Sequence, residues 1–107
     1  MSNHLEELKS NYKAPTEGFL SDVRAMTSIA STVIDQITEY IFTFAADAIE
    51  EQRDDIVEAA EGLVEWALDE AESRLGIKFS AGLRASALTF VNTSVNRIID
   101  AALKPIT

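Results

Sequence analysis

Cysteine is absent from this chain of 107 residues, and histidine occurs once, at His4. Without cysteine there is no disulfide framework, no thiolate zinc site and no cysteine nucleophile. A single histidine excludes histidine-based metal clusters and leaves little from which to build a catalytic triad. Basic residues are also few: nine Lys and Arg stand against eighteen Asp and Glu, for a net charge of −9. That balance argues against direct nucleic-acid binding, which needs a basic footprint. No run of about 18 apolar residues exists to span a bilayer. The most apolar stretch, residues 26–49, carries Asp35, Gln36, Glu39 and Asp47, and such groups are costly in lipid. The opening MSNHLEELKSNY has neither the basic nor the apolar region of a secretory signal. The expected location is the cytoplasm, or a particle into which the chain is incorporated.

Glycine and proline are scarce enough to act as punctuation. Pro15 and Gly18 form one cluster, Gly76 stands alone, and Pro105 lies near the end. Between Phe19 and Leu75 the only breaker is Gly62, and one glycine costs a helix only about 1 kcal/mol relative to alanine. The length suits one domain with a real core.

What is present is helical periodicity. Asn3 and Glu6 read as a capping box for a short first helix over residues 3–12, in which His4 is expected at the surface. Thr16 is a candidate cap for the next segment. There Val23, Met26, Ala30, Val33, Ile37, Tyr40 and Phe44 recur at alternating steps of three and four. This is a heptad seam, and it predicts a long helix over 17–50. Leu20, Ile34, Ile41 and Ala48 widen the stripe, as befits a helix with two neighbours.

From Ala45 the apolar row changes phase. Ala45, Ile49, Ile56, Ala60, Leu63, Ala67 and Ala71 define a row rotated by roughly 120° from the first. Opposite it runs a row of acids: Asp47, Glu51, Asp54, Glu58, Glu61, Glu65, Asp69 and Glu72. Two readings follow. The chain breaks near Glu50–Asp54, where Asp55 and Glu58 would cap a new helix over 55–75, or one helix of about 85 Å runs through. Balanced helix lengths favour the break. The EEQRDD stretch has no Gly, Pro or Asn to make a turn, which favours continuity.

The end of this region is clearer. Gly76 occupies the position where helices close in a left-handed residue. Ser80 caps a last helix over 80–104, which should return antiparallel after so short a turn. Charge is distributed unevenly: residues 1–50 carry −5, residues 51–76 carry −7 and residues 77–107 carry +3. The predicted fold is an all-α antiparallel bundle of one short and three longer helices.

Chemistry is harder to find. No glycine-rich phosphate loop or nucleophile motif is present. The Glu-x-x-His pair of carboxylate metal sites is missing, and Glu61 with Glu65 would hold a hard cation only weakly. Asp35 and Glu39, one turn apart, read as a helix edge. No catalytic, cofactor or metal residue is assigned, and an enzyme is not expected.

The sequence points instead to surfaces. An apolar seam of Val33, Ile37, Tyr40, Ile41, Phe42, Phe44 and Trp66 is the candidate interface. Phe42 lies off the heptad line, so more than one helix face needs covering, and Trp66 is a possible anchor. The expectation is non-catalytic association with a protein partner: a homo-oligomer, an adaptor, or a subunit of a larger assembly such as a virus particle. One alternative is an inhibitor whose acidic strip (Asp54, Glu58, Glu61, Glu65, Asp69, Glu72) blocks a basic groove. A single row places a charge about every 5–6 Å, against one per about 1.7 Å in duplex DNA. Another alternative is a lipid-surface role, disfavoured because Arg24 is the only base in residues 19–49.

Overall fold

A computed structural model describes residues 4–14 and 22–104. Asn3, Thr16, Gly18 and Pro105 lie outside the described residues. Within them the chain forms five helices and no strand: α1 (His4–Asn11), α2 (Asp22–Ile41), α3 (Ala46–Glu51), α4 (Arg53–Leu75) and α5 (Ala81–Leu103). The architecture is an all-α bundle of α2, α4 and α5, with α1 laid along α4 and α3 against the far end of α5.

Register follows from side-chain pairs. Arg84 meets Asp69, Asn92 meets Glu61, and Arg53 meets Asn96 and Asp100. Numbers fall along α4 as they rise along α5, so the two are antiparallel, as the short turn between them requires. Tyr40 at the end of α2 and Gln52 just before α4 both reach His4. Hence α2 also opposes α4 and runs parallel to α5.

The predicted helix over 17–50 is broken earlier than expected. It stops at Ile41, and the chain turns through Phe42–Ala45. Thr43 N–H donates to the Tyr40 carbonyl and Phe44 N–H to that of Ile41, each at 3.1 Å. The Thr43 hydroxyl donates to the Tyr40 carbonyl at 2.6 Å, and Ala45 is extended (φ −69°, ψ 152°). No glycine is needed, because three-residue closures and one extended residue make the reversal. The reason lies in the phase change at Ala45. A straight helix would leave one of the two apolar rows in water. With the break, Ile41 and Ile49 are both buried.

Gln52, where the break was expected, is only a kink (φ −104°, ψ 12°). Its N–H donates to Ala48 and its carbonyl accepts from Ile56, so hydrogen bonding passes through. Asp55 and Glu58 cap nothing there. A continuous rod of about 85 Å is excluded by a longest dimension of 47 Å.

The far end of α4 closes as the sequence implies. Gly76 is left-handed (φ 66°, ψ 27°) and its N–H donates to the Glu72 carbonyl. Ser80 is extended, and its Oγ accepts the Leu83 N–H at 3.2 Å. One apolar cluster fills the bundle: Ala25, Ile29, Val33, Ile37 and Ile41 from α2 meet Leu63, Val64, Leu68, Val91, Val95 and Ile99. Each large side chain buried there contributes about 1.5–3 kcal/mol. Leu8 from α1 reaches the same cluster. Its carbonyl accepts the Gln36 amide at 2.7 Å.

Candidate interaction surface

Most of the predicted seam is consumed inside the chain. Val33, Ile37 and Ile41 are fully buried in the core. Tyr40, Phe44 and Trp66 are half-buried and pack against it. Tyr40 and Phe44 meet edge to face, with ring centroids 5.0 Å apart. Trp66 meets Tyr12 at 5.6 Å, with the Lys9 ammonium 5.8 Å from its ring centroid. Only Phe42 stands out, 68% exposed in the turn. A heptad stripe wide enough for two neighbours finds both in α4 and α5, and of the heptad row only Val23, at its start, stays exposed.

His4 is buried, not at the surface. Its Nδ1 bonds the Tyr40 hydroxyl and its Nε2 lies 2.7 Å from the Gln52 amide oxygen. Tyr40 donates onward to Glu7 at 2.9 Å. The ring also meets Tyr40 and Phe44 edge to face. Local sequence gave no sign of this, because the partners come from two other elements.

The acidic strip is split by α5. Arg84 donates to Asp69 at 2.6 Å and to Glu72 at 2.9 Å. The Asn92 amide lies 3.5 Å from Glu61. Glu72 also accepts the Phe79 N–H, and with Arg84 beside it the carboxyl is held below its ordinary range. Asp54, Glu58 and Glu65 remain exposed. Three of the strip's six carboxylates, Glu61, Asp69 and Glu72, therefore tie α4 to α5, and Asp69 does so while remaining exposed. Among the described residues no group of three or more His, Asp or Glu is placed to hold a metal ion. No described helix is long and apolar enough to cross a membrane.

The surface that remains is on α5. Ala87, Val91, Val95 and Ile99 recur every fourth residue and face the core. At 100° per residue, the opposite side presents Ser86, Thr89 and Thr93, flanked by Ala85 and Phe90. These five residues line a shallow depression, and Phe90 is 53% exposed. Residues 85–96 include no charged side chain, nor do residues 25–34 of α2. Because α2 and α5 run parallel, the two uncharged intervals lie at the same level of the bundle. Among the described residues the result is a stretch of α2 and α5 surface without a charged side chain, bordered by the exposed Arg24 and Arg97. The face offers methyl groups, hydroxyls and one ring, with no titratable group. It can be dried by a partner without desolvating a charge. The sequence did carry this signal, as a charge gap in a chain where a quarter of residues are charged. Compared with protein-family models, curated proteins and solved structures, the chain finds no match.

Proposed function

We propose that the chain is a non-catalytic association subunit, an assembly, scaffolding or adaptor component of a larger complex such as a virus particle. The observation that carries this reading is Phe90 standing half-exposed in the uncharged outward face of α5. An exposed aromatic ringed by small uncharged side chains suits a protein contact that excludes water. The apolar seam of α2 and Trp66 does not serve, since all of its residues except Phe42 pack within the chain.

The test is a photo-cross-linker placed by genetic code expansion at Phe90, and separately at Glu58, in cells that make the protein. Protein adducts confined to the Phe90 position support the reading. Adducts confined to the Glu58 position overturn it and favour the second reading, the acidic inhibitor. That alternative is favoured by Asp54, Glu58 and Glu65, which remain exposed along one side of α4. It is weakened by the pairing of Asp69 and Glu72 with Arg84, which lowers the charge density below that of a single unpaired row.

A further inference from the structure

We infer that the chain pairs with a second copy of itself, α5 against α5, through the uncharged side formed by α2 and α5. The inference rests on the association reading above and names the partner.

Charge selects the occupant. Two copies carrying −9 each repel in most orientations. Asp47, Glu50, Glu51, Asp54, Asp55, Glu58 and Glu65 are exposed on α3 and α4, and Asp35 and Glu39 are exposed toward the end of α2. A two-fold contact sets each patch against itself or its neighbours. For a carboxylate-bearing face that arrangement is repulsive; for the Ala85–Thr93 face it is not. A strongly basic partner would be drawn to α3 and α4 instead. An acidic partner would find Arg84 already held by Asp69 and Glu72 and would be drawn to the exposed Arg97, which lies one turn beyond Thr93 and outside the uncharged interval. The second copy brings the same uncharged side, so neither charge pattern opposes it.

Shape agrees with charge. Ala85, Ser86 and Thr89 are small enough to let two helices approach within about 8–10 Å. Phe90 of each copy then lies over the small residues of the other. Residues 85–96 extend about 18 Å along the axis. One helix face of that length is narrower than the roughly 800 Å² per partner of a standard interface. The exposed Thr27 and Ser31 of α2 and its half-buried Ile34 therefore belong to the same contact. A contact of this modest size forms on the order of 10–100 µM. Salt strengthens it, because screening relieves the repulsion between the two acidic bodies.

Sedimentation velocity of the full chain from about 5 to about 300 µM tests the inference. The expected result is a doubling of mass across that range, at lower concentration in about 0.5 M than in about 0.05 M NaCl. Thr89→Glu and, separately, Phe90→Ser should each raise the dissociation constant at least about tenfold, with the helical circular dichroism unchanged. Phe42→Ser should leave it unchanged. A monomer at every concentration, dimers that survive both α5 substitutions, or dimers lost on Phe42→Ser would each overturn the inference. If the purified chain is monomeric while the Phe90 cross-linker captures a different protein in cells, self-pairing fails and the association reading stands. If both experiments are blank, both fail.

Discussion

The Glu72 carboxylate accepts the backbone N–H of Phe79 at 2.7 Å, across the turn that joins α4 to α5. Its other oxygen holds Arg84 at 2.9 Å. One side chain thus ties the turn to the first part of α5. The N–H bond first, and Arg84 second, keep this carboxyl below its ordinary value of 4.5. A lowered folded value means the unfolded chain binds the proton more readily. The stabilisation is complete above pH 4.5 and is lost as pH falls through the folded value. Glu72→Gln should therefore flatten the acid limb of the stability profile. Urea midpoints from about pH 6 to about pH 3 read this directly. Superimposable acid limbs for the two proteins would show that Glu72 carries no such linkage.

Both tyrosines should be silent where phenols ordinarily ionise. Burial pushes Tyr12 up to about 12. Burial, and then Glu7 at its hydroxyl, push Tyr40 up to about 12. The chain contains only these two. Its phenolate absorbance should stay flat through pH 10 and rise only near 12 or on unfolding. The folded state holds these protons longer than the unfolded state, so stability is full below pH 10.0 and declines as pH rises toward 12. A phenolate transition at pH 10 in the folded protein would contradict the packing of Tyr12 on Trp66.

How much of this was legible depends on whether the cause was local. Gly76 and Ser80 announce a helix end and a helix start because their own conformations do the capping. The four-residue spacing of Ala87, Val91, Val95 and Ile99 announces the buried side of α5. The turn at Phe42–Ala45 announces itself only indirectly, through the phase change of the apolar rows. Its residues are ordinary helix tenants, and the absence of glycine there hid the reversal. His4 was illegible, because a buried polar ring is made by its partners, and Tyr40 and Gln52 lie far off in sequence. The interface expectation failed for Ile37 and its neighbours for a related reason. Periodicity shows which side of a helix is apolar but not whether the cover comes from the same chain.

Removing His4 should loosen α1 alone. His4→Ala deletes two side-chain hydrogen bonds and two ring contacts. Net hydrogen bonds are worth about 0.5–1.5 kcal/mol each, so α1 should lose about 1–3 kcal/mol of docking stability. Native-state hydrogen exchange should show α1 amides exchanging faster, with the centre of α5 unchanged. Uniform acceleration in every helix would mean that α1 is integral to the global fold.

Ile37 and Phe42 separate core from surface within one apolar stretch. Ile37 is fully buried and Phe42 is 68% exposed. Ile37→Asp places a carboxylate in the core and should cost more than about 4 kcal/mol, enough to unfold the chain. Phe42→Asp should change stability by no more than about 0.5 kcal/mol. Thermal melts followed by circular dichroism distinguish the two. A folded Ile37→Asp protein would restore the idea that this row faces outward.

Gly62 sets two consequences of one substitution against each other. It sits in mid-α4, where alanine would favour the helix by about 1 kcal/mol. A methyl group added there would lie 3.1 Å from Leu5 Cδ2 and 3.3 Å from Leu5 Cδ1. Those atoms are the tip of a flexible, half-buried side chain on α1, so they can shift by a few tenths of an ångström. Gly62→Ala should therefore raise the urea midpoint of global unfolding, by a net gain below about 1 kcal/mol. The same change should weaken the seating of α1. Exchange of α1 amides should quicken, and Trp66 fluorescence should change as Tyr12 moves from its 5.6 Å contact. A lower midpoint with unchanged α1 exchange would mean that Leu5 cannot yield and that the close approach at Gly62 is rigid.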